Sequence, residues 1–171
     1  MTEIRTDRLI LRRIRESDAD RICDCIQDPR IHRNVGTIPP NQSFERTRER
    51  IIENNARFES GSAFGFAISE DGEQLLGVIG GSFTQHASFD FGYWIAPDAW
   101  GKGYATEASQ GLMDWVVREH NVKAFTAGYI EDNPPSGKVL RKLGFIPAGR
   151  SRYFVQGRQE WCWSCDMAKL V

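Results

Sequence analysis

Two glycines flank a lysine, Gly101-Lys102-Gly103, in the stretch "WIAPDAWGKGYATEA" at residues 94–108. Before them the chain reads as a strand that Pro97 ends, and after them as a helix. A helix start leaves its first backbone N–H groups without partners, and these carry partial positive charge. A Ser, Thr, Asp or Asn side chain usually satisfies them, and none stands here. Without a Cβ at 101 and 103, a bulky anion can approach those amides, which is the chemistry of a phosphate or pyrophosphate site. A tight turn that needs positive φ, with glycine as a tolerable cap, accounts for the same letters. The named nucleotide motifs fail. "GKGYAT" has Thr106 where G-x-G-x-x-G needs its third glycine, and the acidic residue due about 20 positions on is missing. No Gly-Lys-Ser/Thr exists for a Walker A loop.

The four cysteines, Cys23, Cys25, Cys162 and Cys165, form two close pairs. Cys162-x-x-Cys165 has zinc-ligand spacing, but "WCWSC" reads as a strand, where positions three apart face opposite sides. Cys23 and Cys25 lie about 200° apart on a helix. Reduced, packed thiols are expected and no metal site.

The elements that must position the loop follow from periodicity. "LILRRI" has strand character, and Ala19, Ile22, Cys23 and Ile26 mark an amphipathic helix capped at Ser17. Residues 30–42 read as loop. A helix from Ser43 to Phe58 carries Phe44, Ile51 and Phe58 as its stripe. "FGFAIS" and "QLLGVIGGSF" flank the turn "EDGE" as a hairpin, and "SFDFGYWIA" follows. Helix 104–119, strand "KAFTAGYI", helix "SGKVLRKL" and strands over 145–154 and 159–168 complete the chain. The order is β-α-α-β-β-β-α-β-α-β-β, a mixed α/β (α+β) fold of about seven strands and about four helices. Residues 1–171 read as one domain.

Composition narrows the function. With 22 basic and 23 acidic residues, net charge gives no case for nucleic acid or an anionic membrane. The 12 arginines of residues 1–60 are interspersed with 11 Asp and Glu, a self-paired surface. No apolar run approaches the roughly 18–20 residues of a membrane span, and "MTEIRTDRLILRR" lacks the pattern of a signal peptide. A soluble, cytoplasmic protein is expected, monomeric or a homodimer.

"FGYWIAPDAWGKGYATEASQGLMDW" and, thirty residues later, "NPPSGKVLRKLGF" resemble the GNAT acetyltransferases, specifically the RimJ/RimL type that acetylates ribosomal-protein N-termini. "TDRLILRRIRESDADRI" resembles that branch's first strand and helix. The likeness runs from about Thr6 to Leu170 and implies a splayed central sheet with acetyl-CoA as donor. It places the pyrophosphate on amides of Trp100, Gly101, Lys102, Gly103, Tyr104, Ala105 and Thr106. It places the pantetheine arm along Trp94, Ile95 and Ala96. The superfamily often has Gln or Arg where this chain has Asp98, a carboxylate that must turn away from the pyrophosphate.

Acetyl transfer needs a base, an oxyanion donor and an acid for the thiolate. The resemblance commonly shows Glu at Asp90, and alternation puts Asp90, Gly92 and Trp94 on one strand face, so Asp90 is the candidate base. A strand N–H near Ile95 is the candidate oxyanion donor, and His86 is a rival base from a loop. The tyrosine acid frequent in the superfamily falls at Leu140 and is absent. Asn133 and Ser136 match the Asn-x-x-Ser of the RimL-like branch. Ser136 is the candidate acid, while Asn133, before two prolines, suits a cap on the Ser136 amide. Lys138 and Arg141 either reach the CoA 3′-phosphate or are solvated. The acceptor amine, a protein N-terminus or a small molecule, would meet His32, Arg33, Tyr153 and Arg158. The other reading is a catalytically weak acyl-CoA-binding sensor or interaction module of the same fold.

Overall fold

The computed structural model describes residues 2–171. A short strand β1 (Ile4–Arg5) turns back through a Thr6 N–H to Leu9 carbonyl bond of 2.9 Å into β2 (Ile10–Arg13). Three helices follow, α1 (Ala19–Ile26), α2 (Pro29–His32) and α3 (Phe44–Glu59). Strands β3 (Phe64–Ser69), β4 (Gly77–Phe83) and β5 (Phe89–Ile95) form a meander. Helix α4 (Tyr104–His120), strand β6 (Ala124–Ile130), helix α5 (Pro134–Lys142) and strands β7 (Ile146–Val155) and β8 (Glu160–Leu170) end the fold. All eight strands join one sheet in the order β1-β2-β3-β4-β5-β6-β8-β7, every neighbour pair antiparallel except β5 and β6.

The sheet gains β1 over the count read from sequence, because two residues carry no periodicity. The loop expected at 30–42 opens with α2, for which the letters do hold signals: the Asp28 carboxylate accepts the Arg30 N–H at 2.9 Å and Pro29 sits in the first turn. Ser17 does not cap α1. A 3-10 turn over Glu16–Asp18 precedes it, and the Asp18 carboxylate accepts the Arg15 N–H at 2.8 Å. Cys25, not Cys23, completes the inner face of α1, and Thr47, not Phe44, lies with Ile51 and Phe58 on the inner face of α3. Ser43 does cap α3, accepting the Arg46 N–H at 3.1 Å.

Strand alternation splits the core in two. Helices α1 to α3 cover one sheet face, burying Ile22, Ile26, Ile31 and Ile51 against Ala67 and Trp94. Helices α4 and α5 cover the other, where Leu112, Val116 and Leu140 meet Phe66, Phe89 and Phe91. A buried ion pair ties the first strands together: Arg12 donates to both Asp18 oxygens at 2.8 Å and to the Gly72 and Glu73 carbonyls of the β3–β4 turn. The four thiols are unpaired and, among the described residues, no cluster of ligating side chains forms a metal site. No described helix is long and apolar enough to cross a membrane.

What positions the site is the parallel pair. Strands β5 and β6 pair only at Phe89–Phe125 and Asp90–Thr126, then part.

Candidate active site

Beyond Asp90 the parted strands open a continuous cleft of about 1290 Å³ that reaches both sheet faces. It is lined by Asn54 and Arg57 of α3, by Ala105 and Thr106 of α4, and by Ser136 and Val139 of α5. Backbone direction along β5 follows from the ladder. The Thr84 N–H donates to Ser88 and the Ala96 N–H to Leu76, so even-numbered residues of β5 turn their backbone groups to β4. Phe91, Tyr93 and Ile95 therefore aim theirs into the splay. The Ile95 carbonyl accepts the Trp100 indole N–H at 2.7 Å, which leaves the Tyr93 and Ile95 N–H groups facing the cleft. Of the three arm residues read from sequence, only Ile95 presents its backbone. Trp94 enters the cleft by its side chain alone, and Ala96 is fully buried outside it.

Both loop glycines adopt left-handed backbone, φ 77° at Gly101 and 81° at Gly103, so the turn itself requires them. Gly103 is the N-cap of α4 with no side-chain bond to the helix, and the first internal bond runs from the Glu107 N–H to the Gly103 carbonyl at 3.1 Å. The amides of Tyr104, Ala105 and Thr106 thus start the helix without internal partners at the cleft wall. A Cβ at Gly101 would meet nothing within 4 Å, so the space beside the loop at that residue is open. The loop is held from outside by Arg8, which donates to the Lys102 carbonyl at 2.9 Å and pairs with Glu107 at 2.7 Å. Nothing in the sequence singled Arg8 out. Lys102 does not line the cleft; its ammonium sits 5.7 Å from the Tyr104 ring centroid, and only its backbone shapes the loop. Asp98 does turn away, in a two-point pair with Arg21 at 2.8 Å. Arg30 stacks over Trp100 at 4.8 Å and holds the Asp28 carboxyl down at about 2.

Asp90 stands where the strands part. It stays solvent-exposed on the cleft floor; Thr126 donates to its Oδ1 at 2.8 Å, while partial desolvation by the cleft walls, and then the charge of Asp166, raise its pKa above the ordinary carboxylate value. Trp94 shares its sheet face, as alternation requires, and Gly92 between them leaves open space. Ser136 lies across the splay on α5, its hydroxyl 3.3 Å from that of Tyr93. Burial pushes the Tyr93 phenol pKa up, so it stays protonated. Tyr93 was hidden because an aromatic in "FGYWI" reads as core. Asn133 is the N-cap residue of α5, but its side chain makes no capping bond. The Ser136 N–H donates instead to the Asn133 backbone carbonyl at 3.2 Å, which leaves the carboxamide at the cleft wall.

The remaining candidates divide. Tyr153 lines the cleft. His32 is buried with Nδ1 2.9 Å from the Ile26 carbonyl, and Arg158 is spent on Asp132 at 2.6 Å and on the Arg33 carbonyl, so neither is free for a ligand. Arg33, His86 and Lys138 are exposed away from the cleft, and Arg141 donates to the Tyr129 hydroxyl at 3.1 Å.

Comparison with known proteins bears on the whole arrangement. Residues 8–146 match the acetyltransferase (GNAT) domain. The chain belongs to the GNAT acetyltransferase family. This GNAT enzyme is 29% identical to the uncharacterized N-acetyltransferase p20 of Bacillus licheniformis, covering 92% of this chain and 90% of that one. It is 27% identical to the ribosomal protein uS5-alanine N-acetyltransferase of Escherichia coli, covering 91% and 84%. The fold matches that of RimL, a ribosomal L7/L12 N-acetyltransferase solved with coenzyme A, at a TM-score of 0.87 and 20% identity over 99% of this chain and 98% of that one.

Proposed function

We propose that this GNAT enzyme transfers the acetyl group of acetyl-CoA to a primary amine at a protein N-terminus, by direct attack in a ternary complex. The observation that carries the reading is the Asp90–Thr126 apex, where the cleft joins the α4 amides on one side to the α1–α3 face on the other. The donor fits this chain: Gly101 and Gly103 clear the α4 amides for a pyrophosphate, and the Tyr93–Ile95 edge offers backbone groups to an extended arm. The acceptor class is supported by relatives named for ribosomal-protein alanine and serine residues, which also suits a cytoplasmic site of action.

Acceptor amines have pKa values near 10 and arrive as ammonium. Asp90 takes one proton, directly or through a water, and its raised pKa makes it a better base than an ordinary carboxylate. The neutral nitrogen attacks the thioester carbon, and the Ile95 N–H faces the developing oxyanion. As the carbon–sulfur bond breaks, the proton shed by nitrogen reaches the thiolate through Ser136, backed by Tyr93. The products are an amide and the CoA thiol, and Asp90 returns one proton to solvent.

Acetyl-CoA turnover should be measured by mass spectrometry with peptides of varied N-termini, polyamines, aminoglycosides and amino acids. Peptides should be acetylated at the α-amine. Asp90→Ala and Ser136→Ala should each lower kcat by roughly 100-fold or more, with the thermal shift by acetyl-CoA retained. A thermal shift without turnover of any amine would instead establish a binding module.

A further inference from the structure

We propose that Asp166 is a positioning residue of the acceptor subsite, holding the incoming ammonium at the far side of the splay and presenting it to Asp90. The inference rests on the acetyl-transfer reading above. Asp166 lies on β8 at the centre of the three-strand ladder, opposite Gly128 of β6 on one side and Gly149 of β7 on the other. Its carboxylate lines the cleft with Ser151, Tyr153 and Ser164, on the hairpin face opposite the one where Arg150 and Arg152 stack over Trp163. One oxygen accepts the Ser151 hydroxyl at 2.9 Å. Among the described residues no lysine or arginine pairs with it, although the chain pairs carboxylates freely elsewhere.

Two features point this carboxylate at a ligand. A Cβ at Gly128 would crowd the Ser164 hydroxyl at 2.7 Å and touch Asp166 Oδ1 at an ordinary 3.7 Å, so glycine there leaves room over β6 beside the carboxylate. Thr126, the partner of Asp90, precedes Gly128, the partner of Asp166, by two residues on the same face of β6. The two acids therefore flank that strand on one face, offset by roughly 7 Å along it and by two strand spacings of about 5 Å across it. An ammonium between them has an acceptor on each side, and at Asp90 it meets the proton's destination.

The coupling shows on Asp90 itself. Besides Asp90, the charged groups lining the cleft are Arg30 of α2, Arg50, Glu53 and Arg57 of α3, Lys142 of α5 and Asp166 of β8, with the Tyr153 phenol on β7. Of these, Asp166 is the one that raises the Asp90 pKa, alongside desolvation and against the Thr126 hydrogen bond. Removing its charge therefore lowers the Asp90 pKa.

The test is steady-state kinetics of Asp166→Asn across pH, with a synthetic peptide beginning with alanine and the same peptide blocked at its N-terminus as a binding control. KM for the free peptide should rise roughly tenfold, as for loss of a charge-assisted hydrogen bond. The acid limb of kcat/KM should move to lower pH. Affinity for acetyl-CoA and for the blocked peptide should not change. Asp166→Glu, which keeps the charge, should restore the acid limb. A wild-type KM with an unmoved acid limb, or equal weakening of acetyl-CoA, would overturn the assignment and leave acetyl transfer intact. Failure of the unmodified enzyme to acetylate any amine would sink the transfer reading and this one with it.

Discussion

At the residue scale, the chemistry is divided between a carboxylate and a phenol three positions apart on β5. Partial desolvation in the cleft raises the pKa of the solvent-exposed Asp90 carboxylate and, more deeply, that of the Tyr93 phenol, which stays protonated. Desolvation thus suits each for the opposite task, taking a proton and giving one. Strand alternation turns them to opposite faces of β5, and the thioester would lie between them at the splay. Tyr93→Phe removes only the hydroxyl that backs Ser136. Because the ring stays and the Ser136 contact is the single bond lost, folding and acetyl-CoA affinity should hold while kcat falls roughly tenfold or more. A stopped-flow measurement of thiol release reads this directly, and an unchanged rate would return Tyr93 to the core.

At the element scale, the loop before α4 joins two requirements that the letters alone left apart. Gly101 and Gly103 are needed for left-handed backbone, and the same absence of side chains clears the amides. Gly101→Ala separates the two effects. The new Cβ meets nothing within 4 Å, so the variant should lose only about 1–2 kcal/mol of stability from strained backbone. Acetyl-CoA affinity, read by calorimetry, should fall further than that strain explains. What was legible in the sequence was local. The strand–loop–helix order, the start of α3 at Ser43 and the Ile51 and Phe58 of its stripe follow from spacing within one turn or one strand. The face of Asp90 was legible, because alternation places it with Gly92 and Trp94, while its choice as the base rested on the family resemblance. Tyr93, Asp166 and Arg8 were not legible, since the groups they meet are brought together only by the fold: Ser136 lies 43 positions from Tyr93, Asp90 lies 76 from Asp166 and Glu107 lies 99 from Arg8. Asn133 misled for a related reason: a backbone carbonyl serves as the cap that its side chain was expected to supply.

At the scale of the whole molecule, the acceptor wall is assembled from three distant segments, and Arg158 at the tip of the β7–β8 hairpin joins them. Its guanidinium reaches Asp132 after β6 at 2.6 and 2.7 Å, and the Arg33 carbonyl and Asn34 carboxamide beyond α2 at 2.6 and 3.1 Å. The seat is close. The Gln156 N–H donates to the Gly36 carbonyl at 3.1 Å, and a Cβ on Gly157 would fall 1.7 Å from the His32 carbonyl oxygen. Arg158 therefore shapes the subsite without touching the acceptor. Arg158→Ala should cost about 2 kcal/mol, the worth of hydrogen bonds to a charged group. It should raise KM for the peptide while leaving acetyl-CoA affinity unchanged, because the donor half is held separately by Arg8 and Glu107. The clamp also has a pH window. Arg158 holds the Asp132 carboxyl below its ordinary value, so the pair is complete above the usual aspartate range, near 4, and is lost as pH falls through the lowered value. Protection of the amides in residues 30–42, relative to their intrinsic exchange rates, should accordingly fall in acid for the native enzyme and already be low at neutral pH in Arg158→Ala. Equal protection of that segment in both proteins at neutral pH would show that the hairpin docks without the clamp.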